Sequence, residues 1–523
     1  MTRSRTAPFW RRAACTLLAA ALALPVAPLH AQAVGSGSGS GPGALPALGD
    51  SASEALDVAE EGRIAREILR SARGDPAFLD DPVLQGYLES IFQPLVDAAR
   101  RSGQIGTDID RPYVWTSFLV RDPSVNAFAM PGGLIGVHLG LIAMTAHPDE
   151  LASVLAHELT HVTQRHIARS ISGTQRTSLL ALAAMMAGLV IAARGGNVDL
   201  AQAAVTGGQA AMLQGQLNYS RDMEREADRI GFGLLTATGH SPAAMASMFE
   251  LLSSANRLND SGSYPYLRSH PLTTERIAEA RARVPDGAPA VPPAPPLHEL
   301  MRARATVLMD PSTEALQRWL QAPGDGLPGL YRRALAAARL QDAAAGDALW
   351  PALQQAWAQP GLPADAARAL RLLGAELQLA LGRPQPAGLL VDAADRSRAA
   401  LLLRAEVARG QPDAAQPGPA RAALDASVQA LQAWVIEHPE DAGAWWALAQ
   451  GARLLGQPVR AGRAEAEARW SSGDLGGALA ALQAARRLPA GNEAIELHVV
   501  ESRWRVLEAE RRQRLEEARA RGR

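Results

Sequence analysis

The sequence predicts a mainly α protein with a small antiparallel β-sheet in its N-terminal half and stacked helical pairs in its C-terminal half. Three observations carry this. A helix over about 148–169 holds His157-Glu158-Leu159-Thr160-His161 within an apolar run. Three short β-rich segments precede it, between Tyr113 and His138. Beyond a proline-rich spacer, apolar and small residues recur at the offsets of helix–turn–helix repeats. A chain of 523 residues has room for two or three such domains.

From the N-terminus, Arg3, Arg5, Arg11 and Arg12 precede an apolar run over 13–27, and Ala31-Gln32-Ala33 offers a small-x-small cleavage site. This is the pattern of a secretory signal peptide over 1–33. The run is short for a membrane anchor, which needs about 20 apolar residues. Cys15 is the only cysteine and would leave with the leader, so the mature chain needs no particular redox compartment. Residues 34–53 include a Gly/Ser run, read as a flexible linker.

Helices are expected over about 54–73 and 82–101, then strands over 113–120, 125–129 and 134–138, with Pro131-Gly132-Gly133 as a turn. Residues 178–193 are strongly apolar yet too short to span a bilayer comfortably. They are read as buried near the site or as a contact with a membrane surface. A catalytic domain over 54–285 ends at the stiff spacer 286–298, and on this reading it folds alone.

In the remaining segment, 299–523, Trp445, Leu448, Gly456, Ala461 and Ala468 fall at tetratricopeptide (TPR) offsets, and Gly473, Ala478, Leu482 and Ala485 continue the pattern. The prediction is a TPR-like solenoid, whose concave surface suits extended segments or other proteins. The tail from Arg503 reads as a solvated helix. Formal net charge is −1, all basic side chains are arginine, and nothing recommends nucleic acid as a partner.

The spacing of His157 and His161 is a chemical specification. At i and i+4 on a helix, both imidazoles reach one cation. Glu158, beside the first ligand, is placed to act as general base on a water at that cation. The third ligand is sought in Tyr219-Ser220-Arg221-Asp222-Met223-Glu224-Arg225-Glu226-Ala227-Asp228, a helix with Glu224 and Asp228 on one face. Glu224 completes a two-histidine, one-glutamate zinc site, and Asp228 takes the outer ring N–H of a ligand. His138 and His166 lack ligand spacing and are assigned structural roles.

These segments together resemble the gluzincin peptidases that include the CAAX prenyl protease and the HtpX heat-shock protease. HELTH and Glu224-Arg225-Glu226-Ala227-Asp228 carry the resemblance, with Asn126-Ala127-Phe128-Ala129-Met130-Pro131-Gly132-Gly133 and His270-Pro271-Leu272-Thr273-Thr274-Glu275-Arg276. It spans roughly 54–285 and implies one Zn2+ per chain, held by His157, His161 and Glu224, in an endopeptidase of the bacterial periplasm. It also implies that Asn126, Ala127, Phe128, Gly132 and Gly133 line the substrate strand. His270 is placed at the metal, where it either caps the zinc's fourth position or binds the oxyanion with Arg276; Asp228 either orients a ligand or donates a proton.

The substrates expected are unfolded or misassembled envelope proteins, with the outer-membrane assembly machinery as a partner of the repeats. Two other readings stand beside this one. A chaperone or adaptor that hardly uses proteolysis has no need of Glu158, and a metal-dependent esterase or amidase has no need of the strand before the metal helix.

Overall fold

The computed structural model describes residues 56–170, 221–258, 264–287, 291–324, 326–489 and 491–521. The predicted leader, the Gly/Ser linker, the apolar stretch 178–193, and Tyr219 and Ser220 lie outside the described residues. No helix among the described residues is long and apolar enough to cross a membrane.

Two amphipathic helices open the described fold, α1 (Val58–Arg73) and α2 (Pro82–Arg101). Asp81 starts α2 by accepting the Leu84 N–H at 2.9 Å, with Pro82 at the first helical position. A four-stranded sheet packs beside α2 and the metal helix: β1 (Phe78–Leu79), β2 (Thr116–Val120), β3 (Ala127–Met130) and β4 (Leu134–His138), in the order β1-β2-β4-β3. The sheet is mixed, which corrects the antiparallel expectation in one pairing. β1–β2 and β3–β4 are antiparallel, but β2 and β4 run parallel, Thr116 opposite Leu134 through Val120 opposite His138. The cause is the turn after β3. It returns β4 on the side facing β2, leaving β3 at the edge.

That turn is enclosed. Gly132 and Gly133 have φ of 76° and 94°, and a Cβ on Gly132 would lie 2.4 Å from the Glu61 carbonyl oxygen. A Cβ on Gly133 would meet the Trp115 nitrogen at 2.8 Å. Their service is to close the hairpin beneath α1 and β2 rather than to line an open strand.

After a single turn, α3 (Thr107–Asp110), and the sheet come α4 (Leu139–Met144), α5 (Pro148–Thr163) and α6 (His166–Ser170), then α7 (Arg221–Ala237), α8 (Ala244–Leu258), α9 (Pro265–Ser269) and α10 (Thr274–Ala282). The single helix expected over 148–169 is broken at Arg165, whose φ is 50°.

Beyond the spacer run α11 (Pro296–Leu308), α12 (Thr313–Gln321), α13 (Gly326–Leu340), α14 (Ala343–Trp357), α15 (Ala364–Ala380) and α16 (Pro384–Gly388). Then follow α17 (Arg398–Gly410), α18 (Pro419–Glu437), α19 (Ala442–Leu454), α20 (Pro458–Ser471), α21 (Leu475–Ala485) and α22 (Ala494–Arg521). From α13 onward each helix packs on the next and, at about half of the steps, on the next but one, the solenoid-like arrangement expected. Gly456 and Gly473, at φ of 75° and 81°, end α19 and α20. The tail is less solvated than predicted, because Val500 and Leu507 of α22 are buried against α21.

The two halves are joined by a common core. Apolar side chains from Leu79 to Leu403 form one cluster, in which Leu300, Met301 and Val307 of α11 sit with Leu88, Leu95 and Ile142 of α2 and α4. Arg304, fully buried, pairs bidentately with Asp81 at 2.7 and 2.8 Å and reaches Glu376 at 2.8 Å. His298 donates to the Thr145 carbonyl at 3.0 Å. At the far end, the Trp470 ring lies between the guanidinium groups of Arg70 and Arg503, at 4.0 and 4.4 Å.

A fragment ending at Pro285 therefore exposes the apolar faces of α2 and α4 and leaves Asp81 buried without its cation. The expectation that it folds alone is revised: it should partition to the insoluble fraction and lose cooperative unfolding. A soluble fragment with the full chain's Tm would show the shared core to be dispensable. In the full chain, Arg304→Ala should cost about 3–5 kcal/mol in denaturant unfolding, because the buried Asp81 carboxylate loses its bidentate cation.

Candidate metal centre

The site is built on α5. Pro148 opens it, His147 Nδ1 accepts the Asp149 N–H at 3.1 Å, and Glu150 accepts from the nitrogens of Ala146 and His147 at 2.6 and 3.2 Å. Every residue from Glu150 through Thr163 is buried or nearly so, because the sheet, α2, α7 and α8 enclose the helix. A helix so enclosed can keep polar side chains only if they are satisfied locally. His157 and His161 bring their Nε2 atoms to 3.0 Å of one another.

Helix α7 lies against α5 with little between them. At Gly231 a Cβ would meet the backbone of Ala156 and His157 at 3.1 Å, so this glycine permits the close approach. It lies seven residues after Glu224 and three after Asp228, on their face of α7. Glu224 is carried in so that its Oε1 stands 3.4 Å from His161 Nε2 and its Oε2 3.5 Å from His157 Nε2. Asp228 Oδ1 lies 3.0 Å from His157 Nδ1, on the far side of that ring from Glu224.

The segment 264–276 closes the site. His270 follows α9 and places Nδ1 2.9 Å from Glu224 Oε1 and 3.3 Å from His157 Nε2. Its Nε2 is 3.4 Å from Glu158 Oε1. The buried Tyr266 ring packs 4.7 Å from the His270 ring. Arg276, on α10, grips Asp228 with two bonds of 2.7 and 2.8 Å, donates to the Pro271 carbonyl at 3.0 Å, and lies 2.7 Å from Glu224 Oε2. Its guanidinium is thus engaged with site carboxylates.

Donor atoms of His157, His161, Glu224 and His270 all lie within 4.8 Å of one another, and all four residues are buried. The set fits a zinc ion on chemical grounds. Three imidazole nitrogens and a carboxylate oxygen converge from different directions, and facing lone pairs need positive charge between them. The proton affinities agree. Burial alone would strip His157 of its proton, but Asp228 and Glu224 override it and push its pKa up to about 10. Burial drives the His161 pKa well below its ordinary value. Glu224 resists burial because His270, His157 and His161 hold its carboxyl far below the usual range. The pocket is arranged for concentrated positive charge, which a divalent cation supplies in place of the proton.

Glu158 is fully buried, and its pKa is raised by burial against the pull of His270 and His157. Oε2 accepts the Ala129 N–H of β3 at 2.9 Å; Oε1 has no hydrogen-bond partner among the described residues. β3 is an edge strand. The His138 N–H reaches the Asn126 carbonyl at 3.0 Å, so antiparallel alternation turns the backbone groups of Ala127 and Ala129 away from β4. Phe128 packs edge-on against Phe118 and covers Gly136, a core position.

His138 is structural, as read from sequence, held by Ser124 at 2.9 Å. His166 is not merely so. Its Nδ1 lies 2.9 Å from His161 Nδ1 and its Nε2 3.0 Å from Glu226 Oε2. Spacing gave no sign of this, because a continuing helix would have carried His166 away from His161.

Comparison with known proteins agrees with this geometry. Residues 82–284 match peptidase family M48, which bears out the gluzincin resemblance. The chain is 33% identical over 276 residues to the beta-barrel assembly-enhancing protease of Escherichia coli, covering 53% of each chain. It is 31% identical over 256 residues to the protein of the same name from Yersinia pestis, covering 49% of this chain and 50% of that one. The mitochondrial metalloendopeptidase OMA1 of Saccharomyces cerevisiae is 30% identical over 200 residues, 36% of this chain and 53% of the relative. The chain thus spans about half the length of the curated relatives it matches.

The purified protein should carry one zinc per chain by elemental analysis, and Ala at His157, His161 or Glu224 should remove most of it. Full occupancy in Glu224→Ala would require another third ligand. Asp228→Asn should lose roughly 10–100-fold in zinc affinity, consistent with loss of an orienting carboxylate.

Proposed function

We propose that this chain, whose residues 82–284 form a domain of peptidase family M48, is a zinc-dependent endopeptidase of the periplasm that acts on unfolded or misassembled envelope proteins. The observation that carries the activity is the placement of Glu158. Its buried carboxylate stands beside the four converging donors and is tied by one oxygen to an edge strand.

In this reading His157, His161 and Glu224 hold the metal. Zinc, when bound, lowers the pKa of a water towards about 7 and polarises the scissile carbonyl. The remaining work falls to the chain. An extended peptide adds to edge strand β3 by displacing what covers Ala127 and Ala129, both of them buried, and pairs with the Ala127 backbone groups and the Ala129 carbonyl, which gives main-chain binding with little side-chain selection. Asn126 helps hold that strand to β4. Glu158 Oε1, without a hydrogen bond of its own, accepts the attacking water's proton and returns it to the leaving amine. The strand that binds substrate is thus the strand that aims the base.

Asp228 orients His157, and Arg276 orients Asp228. The bidentate grip of Arg276 favours this positioning role over the oxyanion role that the resemblance suggested. His270 stands among the donors and favours the capping role, occupying the fourth corner in a resting state.

The location rests on the leader pattern of 1–33 and on the relatives named for β-barrel assembly. The solenoid-like helices are assigned the selection of partners, the outer-membrane assembly machinery among them. An adaptor without proteolysis would have no use for a glutamate held in this way.

Glu158→Gln should keep fold and zinc while hydrolysis of an unfolded protein falls roughly 10²–10⁴-fold, the loss of a general base. Retained cleavage in a preparation free of host proteases would contradict the mechanism. His270→Ala should raise basal cleavage of the same substrate. A fall on the order of 10²-fold would instead assign the histidine to the oxyanion.

A further inference from the structure

The metal helix ends at Thr163, and the kink that follows at Arg165, four residues after His161, has a tertiary cause. Arg165 adopts a φ of 50°, which costs an L-residue energy and needs a compensating hold. The hold is α1: the Arg165 guanidinium reaches Glu61 Oε1 at 2.8 Å and the Leu56 carbonyl at 2.6 Å. In an unbroken helix, five residues would turn His166 roughly 140° away from His161. The kink brings it back, fully buried, with Nδ1 against Nδ1 at 2.9 Å.

A hydrogen bond between two ring nitrogens needs one that carries a proton and one that does not. Glu226 decides which. Its ionised carboxylate can only accept, and its Oε2 lies 3.0 Å from His166 Nε2. His166 therefore carries its proton on Nε2 and presents a bare Nδ1. His161 must then carry its own proton on Nδ1. That leaves His161 Nε2 bare, and Nε2 is the atom that faces His157 and Glu224.

We propose that His166 and Glu226 are positioning residues for the metal centre, acting in series to hold His161 in the tautomer and orientation that ligate through Nε2. The inference rests on the zinc reading of His157, His161 and Glu224. It gives α7 a double role, since Asp228 orients one imidazole directly and Glu226 orients the other through His166. Arg169 also touches Glu226, at 3.1 Å, but takes no part in the series.

The test measures zinc affinity of the full chain by competition with a chromophoric chelator, alongside thermal unfolding of the metal-free protein. His166→Leu should weaken zinc binding roughly 10–100-fold, as loss of a ligand's hydrogen-bond partner does. His166→Asn, whose amide oxygen stands near the place of Nδ1, should recover most of that loss. Glu226→Ala, at a partly exposed position, removes the acceptor and should weaken binding where Arg169→Ala does not. Unchanged affinity in His166→Leu would overturn the proposal, and so would an Asn variant as weak as the Leu variant. Should His166→Leu fail to fold, equal zinc affinities for Glu226→Ala and Arg169→Ala would overturn it instead. A parent chain that binds no zinc would sink the metal reading itself, a result distinct from all of these.

Discussion

Three imidazoles and three carboxylates buried side by side are tolerable only if positive charge is placed among them. His157, His161, His270, Glu158, Glu224 and Asp228 are all nearly or fully buried, and Arg276 is the one permanent cation in contact with them among the described residues. That arginine satisfies Asp228 and flanks Glu224, leaving the inner faces of Glu224 and the histidines turned towards a common point. The rest of the domain can be understood as what keeps those inner faces together. Gly231 lets α7 approach α5, the chain after α9 delivers His270, and β3 anchors the base.

Glu158 and β3 share a constraint. Edge strands invite pairing with other chains, and proteins commonly blunt them. Here Glu158 takes one outward N–H of β3, and Ala127 and Ala129 are themselves buried. Under the proposed function, recognition through the backbone would suit chains of varied sequence, because every peptide offers the same donors and acceptors.

The C-terminal helices are not an appendage. Arg304 enters from α11 to neutralise the cap of α2, and the apolar cluster passes between the halves without a gap. Beyond α16 the helices pack on one another in sequence, and their far end returns to α1 through Arg70, Glu440 and Trp470. The same α1 holds Arg165 and so the end of the metal helix. A physical route therefore exists from the solenoid-like region to the ligand histidine.

Much of the site was legible in sequence because its chemistry is written at helical spacing. The offsets 157/161 and 224/228 put each pair on one face whatever the rest of the chain does. The turn at Pro131-Gly132-Gly133 and the repeat offsets that include Gly456 and Gly473 were legible for the same local reason. Only the tertiary structure decided the remainder. The parallel pairing of β2 with β4, the kink at Arg165, the return of His166 to His161, the grip of Arg276 on Asp228 and the burial of Arg304 each join residues that local pattern does not relate. Glu61 and Arg165 are 104 positions apart, and Asp81 and Arg304 are 223 apart. Local stereochemistry determines which way a side chain faces on its own element. Which element it then meets is settled by how the whole apolar surface is buried, and that is a property of the packed chain.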